Sequence, residues 1–230
     1  IEVLSADHQN KADVASSKAR EWIDKDGLSM LVGGTNSGTS LAMATVAQEK
    51  KLPFISIGAG SARLTNEACT PYTVHYAYDT VALAKVAGNA LVKGGAKNWF
   101  FLTADYAFGH SLEADATSVV KANGGAVAGA VRHPLNASDF SSFLLQAQTS
   151  KAQVLALANA GGDFTNAMKA AREFGINKSM KIAGLLVFIN DVHSLGLANT
   201  EGLQLADSWY WNQDDASRKF AQRFFDKYKR

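Results

Sequence analysis

Short β-branched runs alternate along the chain with segments whose apolar residues recur every three or four positions, and this alternation confines it to the α/β class with parallel sheets. Strands are expected at residues 1–5, 29–32, 54–57, 74–78, 98–102, 125–131, 154–157 and 181–183, with a weaker one at 202–205. Between them, Ala15, Ala19, Trp22 and Ile23 share one helical face, as do Leu83, Ala87, Ala90 and Leu91, and Leu112, Ala116, Val119 and Val120. Phe164, Ala167, Met168 and Ala171 form a further stripe, and Phe220, Phe224 and Tyr228 line the last helix. All of these stripes are expected to pack into cores. Gly27, Gly94, Gly124 and Gly175 each close a helical stretch before a strand begins. Residues 29–78 and 98–183 both read as strand, helix, strand, with a helix over 81–92 between them, so two similar α/β lobes are expected.

Lys and Arg number 23 against 21 Asp and Glu, a net charge of +2, and they are spread rather than clustered. No basic stripe exists for a phosphate backbone and no polybasic segment for a membrane surface, so neither nucleic acid nor direct membrane insertion is expected. No apolar run approaches the roughly 18 residues that a helical span requires. The chain opens on Ile1-Glu2-Val3-Leu4 without a leader pattern, its first strand lacks a parallel neighbour, and its last residues fall inside an amphipathic helix. These features read as a segment of a longer protein. Cys69 is the lone cysteine and reads as an ordinary small side chain.

Ligands of parallel sheets bind beyond the carboxyl ends of the strands, so the loops after each strand carry the functional reading. The first such loop, Gly33-Gly34-Thr35-Asn36-Ser37-Gly38-Thr39-Ser40, has the spacing of a phosphate-binding loop but places Thr39 where a Lys is needed. Its helix start and hydroxyls still suit an anion such as a carboxylate. Gly58-Ala59-Gly60-Ser61-Ala62-Arg63 begins like a dinucleotide fingerprint and ends on Arg63 instead of a third Gly; its small residues would admit a ligand close to the backbone, with Ser61 as a donor. Tyr106 and Phe108 follow the fifth expected strand as either lids on a ligand or satellite core. Asn159, among small residues, offers a donor and an acceptor. The five histidines show no metal-ligand spacing, Asp105, Asp163 and Asp191 form no evident acid–base pair, and no convergent nucleophile and base is present. No metal, cofactor or catalytic group is expected.

Taken in order, Leu31-Val32-Gly33-Gly34 with Ser37, Leu52-Pro53-Phe54-Ile55-Ser56 with Gly58-Ala59, Tyr78-Asp79-Thr80, Asp105-Tyr106-Ala107-Phe108-Gly109, Asp139-Phe140, Ala171-Arg172-Glu173-Phe174-Gly175 and Thr200-Glu201-Gly202 resemble the periplasmic solute-binding proteins of ABC importers, in the branched-chain amino acid-binding (type I) family. The resemblance covers nearly the whole chain. It implies a type I binding-protein fold in a fragment lacking both ends, with a first lobe over 1–77, a second over 78–208 and a return segment over 209–230. It implies further a periplasmic monomer that closes on a small molecule and delivers it to importer membrane subunits. In that family a Ser matching Ser37 and backbone matching Gly58 hold the ligand carboxylate.

The family's Thr and acidic residue for the ligand amine fall at Gly60 and near Leu186, in Leu185-Leu186-Val187-Phe188. Burying an ammonium without a carboxylate partner costs several kcal/mol, so a ligand without an amine is expected. The reading is an aromatic carboxylate of the benzoate or hydroxycinnamate kind. Asn36, Ser37 and Ser61 would take its charged end, while Leu185, Leu186, Val187 and Phe188 with Tyr106 and Phe108 would suit its flat apolar body, in a cavity bordered by Ser37 and Phe188; Gly58, Gly60 and Asn159 complete the candidate ligand-binding residues. The alternative is a branched-chain amino acid or amide, should Asp105, Asp163 or another acid supply the missing amine partner. An enzyme or a regulator on two similar lobes is the other class, and the chain shows neither a catalytic constellation nor a DNA-binding helix pair.

Overall fold

The computed structural model describes residues 1–229; the final residue of the expected return segment, Arg230, lies outside the described residues. Two separate sheets form. The first has strands β1 (Leu31–Gly33), β2 (Phe54–Ser56) and β3 (Thr73–His75) in the order β1-β2-β3. The second has β4 (Asn98–Ala104), β5 (Ala126–His133), β6 (Val154–Ala158), β7 (Lys181–Gly184) and β8 (Gln204–Leu205) in the order β5-β4-β6-β7-β8. Every pairing is parallel, as the interleaved helices require.

Helices α1 (Ala12–Lys25) and α2 (Ser37–Lys50) cover one face of the first sheet, burying Ala15, Ala19, Met43 and Ala47 against Leu31 and Phe54. Its other face carries the register row Val32, Ile55, Val74, of which Val32 and Val74 are exposed. The second sheet is covered on both sides. Helices α3 (Thr80–Lys93) and α4 (Ala107–Ala122) pack on the face of Trp99, Phe101 and Ala156. On the opposite face, α5 (Ser141–Thr149) and α6 (Gly161–Glu173) pack over Leu102, Leu155 and Leu157. Burial on both faces explains why β6 reads as the unbroken apolar run Val-Leu-Ala-Leu-Ala. Short helices α7 (Ile189–Leu195) and α8 (Leu197–Thr200) lead to β8, and α9 (Asp215–Tyr228) ends the described chain.

Four expectations are corrected. Residues 1–5 form no strand, because a strand exists only through ladder bonds and this segment pairs with none of the described strands. The third strand stops at His75 rather than 78: Tyr76 N–H still donates to Ser56 O at 2.8 Å, but the chain beyond it leaves the sheet to reach the Asp79 cap of α3, where the carboxylate accepts from Ala82 N–H at 2.7 Å. Phe220, Phe224 and Tyr228 share a helical face as expected but are exposed, because no described element covers that side of α9. Ala90 is likewise exposed, and Ala84 takes its place in the α3 stripe.

Candidate ligand-binding site

Because both sheets are parallel, the loops after β1, β2, β4, β6 and β7 lie at the carboxyl ends of their strands, where open parallel sheets bind ligands. The β1 loop enters α2 at Ser37. Asn36 caps the helix, its Oδ1 accepting from Thr39 N–H at 3.1 Å, and Ser40 Oγ donates to Gly34 O at 2.9 Å. Gly34 sits at φ +73, where an added Cβ would meet Ser40 Oγ, so the turn needs glycine. Capping at Asn36 leaves the Ser37 and Gly38 amides among the helix's unpartnered donors, at the positive end of its dipole.

The β2 loop folds directly over this helix start. Ser61 N–H donates to Ser37 Oγ at 3.1 Å, and both serines are buried. Gly58 lies against Thr35, and the amides of Gly58, Ala59 and Gly60 donate to no acceptor among the described residues. The loop is held from behind at three points. His75 Nε2 lies 2.6 Å from Ala59 O, Thr80 N–H donates to Gly60 O at 2.8 Å, and Ala62 N–H donates to Thr80 Oγ1 at 3.1 Å. The result is a fixed group of amides and hydroxyls able to receive a carboxylate, with no acidic side chain among its hydrogen-bond partners.

The second sheet supplies an aromatic wall. A Cβ on Gly60 would stand 2.8 Å from Phe108 and 3.3 Å from Tyr78. Tyr106 and Phe108 rings lie 5.9 Å apart, Tyr78 and Phe188 6.0 Å apart. Leu186 belongs to the same buried cluster as Phe108, with Tyr78 and Tyr106 packed against it. Burial raises the phenol pKa of Tyr106, with further increases from the Asp163 charge and Tyr78; burial also raises that of Tyr78, where Asp207 adds to it. Both phenols therefore stay neutral and can donate.

Of the residues singled out from the sequence, Asn36, Ser37, Gly58, Gly60 and Ser61 come together on one side, and Tyr106, Phe108, Leu186 and Phe188 on the other. Asn159 stands apart from both groups in its recorded contacts. It is fully buried on the α5/α6 face, its Nδ2 3.1 Å from His133 Nε2, while its Oδ1 has no partner. His75, Thr80, Ser111 and His133 are not marked as site residues by the sequence. Only Thr80 carried a signal, as the first helical residue after a capping Asp. Asp163 also departs from the amine-partner role, since its carboxylate accepts from the Asn136 and Ala137 amides.

The expected cavity bordered by Ser37 and Phe188 is not among the hollows described. Those of about 680, 620, 600 and 490 Å³ lie elsewhere, and none is lined by Ser37 or Phe188. The two sides approach closely at two points: a Cβ on Gly60 would stand 2.8 Å from Phe108, and Ser61 Oγ lies 2.7 Å from Ser111 Oγ of α4. The 600 Å³ hollow does reach Gly34 and Thr35, which lead into Asn36.

The structure is thus a parallel α/β frame with two sheets, an amide and hydroxyl cradle beside the first and an aromatic wall beside the second. The family model for periplasmic binding proteins matches residues 1–230, and the chain belongs to that family. It is similar to a Burkholderia mallei periplasmic binding protein of known structure, with 70% identity and a TM-score of 0.94 over 100% of this chain and 61% of that one. The solute-binding protein of an ABC transporter from Rhodopseudomonas palustris BisB5, solved with 3,4-dihydroxybenzoic acid, is 25% identical, with a TM-score of 0.84 over 99% and 63% of the two chains. Among curated proteins, the Leu/Ile/Val-binding protein homolog 6 of Brucella melitensis biotype 1 is 25% identical over 197 residues, 78% of this chain and 50% of that protein. The chain thus spans about half the length of the curated relatives it matches. No helix among the described residues is long and apolar enough to cross a membrane, and none of the described residues group into a metal-holding cluster.

Proposed function

We propose that this chain forms much of the extracytoplasmic solute receptor of an ABC importer, working in the periplasm with importer membrane subunits, and that its cargo is a small aromatic carboxylate. One observation carries the ligand class: the amides and hydroxyls around Ser37 and Ser61, suited to an anion, lie opposite Tyr78, Tyr106, Phe108 and Phe188; the family resemblance adds that Leu186 falls near the position of the family's acidic partner for an amine. A carboxylate would rest on the Ser37 end, and an apolar ring would be enclosed by the aromatic wall. The similar protein from Rhodopseudomonas palustris holds an aromatic acid, which supports the same reading.

No bond is made or broken in such capture. Contacts made only when both sides touch the ligand favour the closed arrangement, and the ligand shifts the population toward it by the difference in affinity. Since Gly60 already touches Phe108, entry requires the two units to part. The second reading, a branched-chain amino acid, is favoured by the name of the Brucella relative. Calorimetric titration of the full-length protein with p-coumarate, benzoate and leucine separates the two. Tight binding of either aromatic acid with a flat leucine trace is expected, and the reverse pattern overturns the assignment.

A further inference from the structure

We propose that Ser111, on α4 and outside the cradle itself, is the residue that orients the cradle's hydroxyls and ties anion binding to contact between the two units. This rests on the reading above that a carboxylate occupies the Ser37 and Ser61 side. Ser61 Oγ and Ser111 Oγ are 2.7 Å apart, across 50 residues of chain, and theirs is a direct hydrogen bond between the β2 loop and a helix of the second sheet.

The direction of that bond follows from counting donors. A serine hydroxyl gives one proton and accepts two. Ser37 Oγ already accepts Ser61 N–H, so its own proton is free to point outward. Ser61 Oγ accepts Arg63 N–H weakly, at 3.4 Å. If Ser111 donates to Ser61, the Ser61 proton is free as well, and the two cradle hydroxyls present two donors to an anion. Were the bond reversed, Ser61 would turn lone pairs toward a negative charge. An anion therefore selects the order Ser111 to Ser61 to carboxylate, in which each bond polarises the next. Because Ser111 moves with α4, the favourable order exists only while the second unit is in contact with the first.

This makes Ser111 a positioning residue, and a double-mutant cycle tests it in the full-length protein. Affinity for p-coumarate is measured by calorimetry for the wild type, Ser111→Ala, Ser61→Ala and the double variant, with melting curves confirming that each folds. Losing one orienting bond weakens binding by about three- to tenfold. Ser111→Ala is expected to lose at least about threefold alone and less than half of that factor in the Ser61→Ala background. A smaller loss, or an equal loss in both backgrounds, overturns the proposal. If leucine binds and p-coumarate does not, the aromatic reading fails separately, and the same cycle run on leucine decides the role of Ser111 through leucine's carboxylate. If benzoate binds and p-coumarate does not, the cycle is run on benzoate with the same criteria; a protein that binds none of the three acids overturns both.

Discussion

Gly60→Ala is the sharpest probe of how the two units meet. The backbone there is not left-handed, so alanine adds no torsional strain, and its whole effect comes from one methyl group. That group would stand 2.8 Å from Phe108 Cε2, 3.2 Å from Cδ2 and 3.3 Å from Tyr78 Cε2, against a comfortable carbon separation of about 3.5–4.0 Å. Phe108 is buried to 3% exposure beside Tyr106 and cannot swing clear. Overpacking of this size costs about 1–3 kcal/mol, yet the two units can relieve it by parting. The cost should therefore fall on ligand affinity, as a loss of about fivefold to about a hundredfold. Gly88→Ala is the matched control. Its methyl would stand 2.7 Å from Val119 Cγ1, between α3 and α4 of one unit, where parting is not possible. There the clash, offset by about 1 kcal/mol of helix propensity, should appear as lost stability with affinity intact. Urea unfolding and calorimetry on both variants complete the comparison. If Gly60→Ala loses stability and keeps its affinity, the contact does not separate on opening and the reasoning fails.

Other outcomes follow from buried polar groups. Asn159→Leu should cost about 1–3 kcal/mol in urea unfolding, because it leaves His133 Nε2 buried without its partner. Asp163→Ala removes the acceptor of the Asn136 and Ala137 amides and should destabilise by a similar amount, with faster amide exchange at both positions. The raised phenol pKa of Tyr106 means that the folded state holds its proton more tightly than the unfolded chain does. Its contribution to stability is thus complete below the ordinary phenol value near 10 and declines as pH rises above it. Tyr106→Phe should flatten that alkaline decline in denaturant midpoints measured between about pH 8 and pH 11.

The sequence was legible where one physical signal dominated. The doubly covered second sheet gave continuous apolar runs, and the strands and helices there fall close to their expected places. Residues 1–5 look like a strand by composition, but a strand is a relation between two segments, and composition carries only one of them. The α9 aromatics show the same limit, since amphipathic spacing tells which side is apolar and not what covers it. At the site, Ser37 with Ser61 and Phe108 with Gly60 were reachable from loop chemistry. Ser111 was not. It sits just before the apolar stripe of α4 with nothing local to mark it, and only the fold brings it to Ser61.

The ties from Thr80 to Gly60 O and Ala62 N–H have a consequence for how the molecule can be divided. A piece cut after His75 would keep all three strands of the first sheet. It would nonetheless leave the cradle loop short of two anchors, because its order is borrowed from the first turn of a helix belonging to the other half. Grafting that loop onto a new scaffold would require bringing Thr80 along.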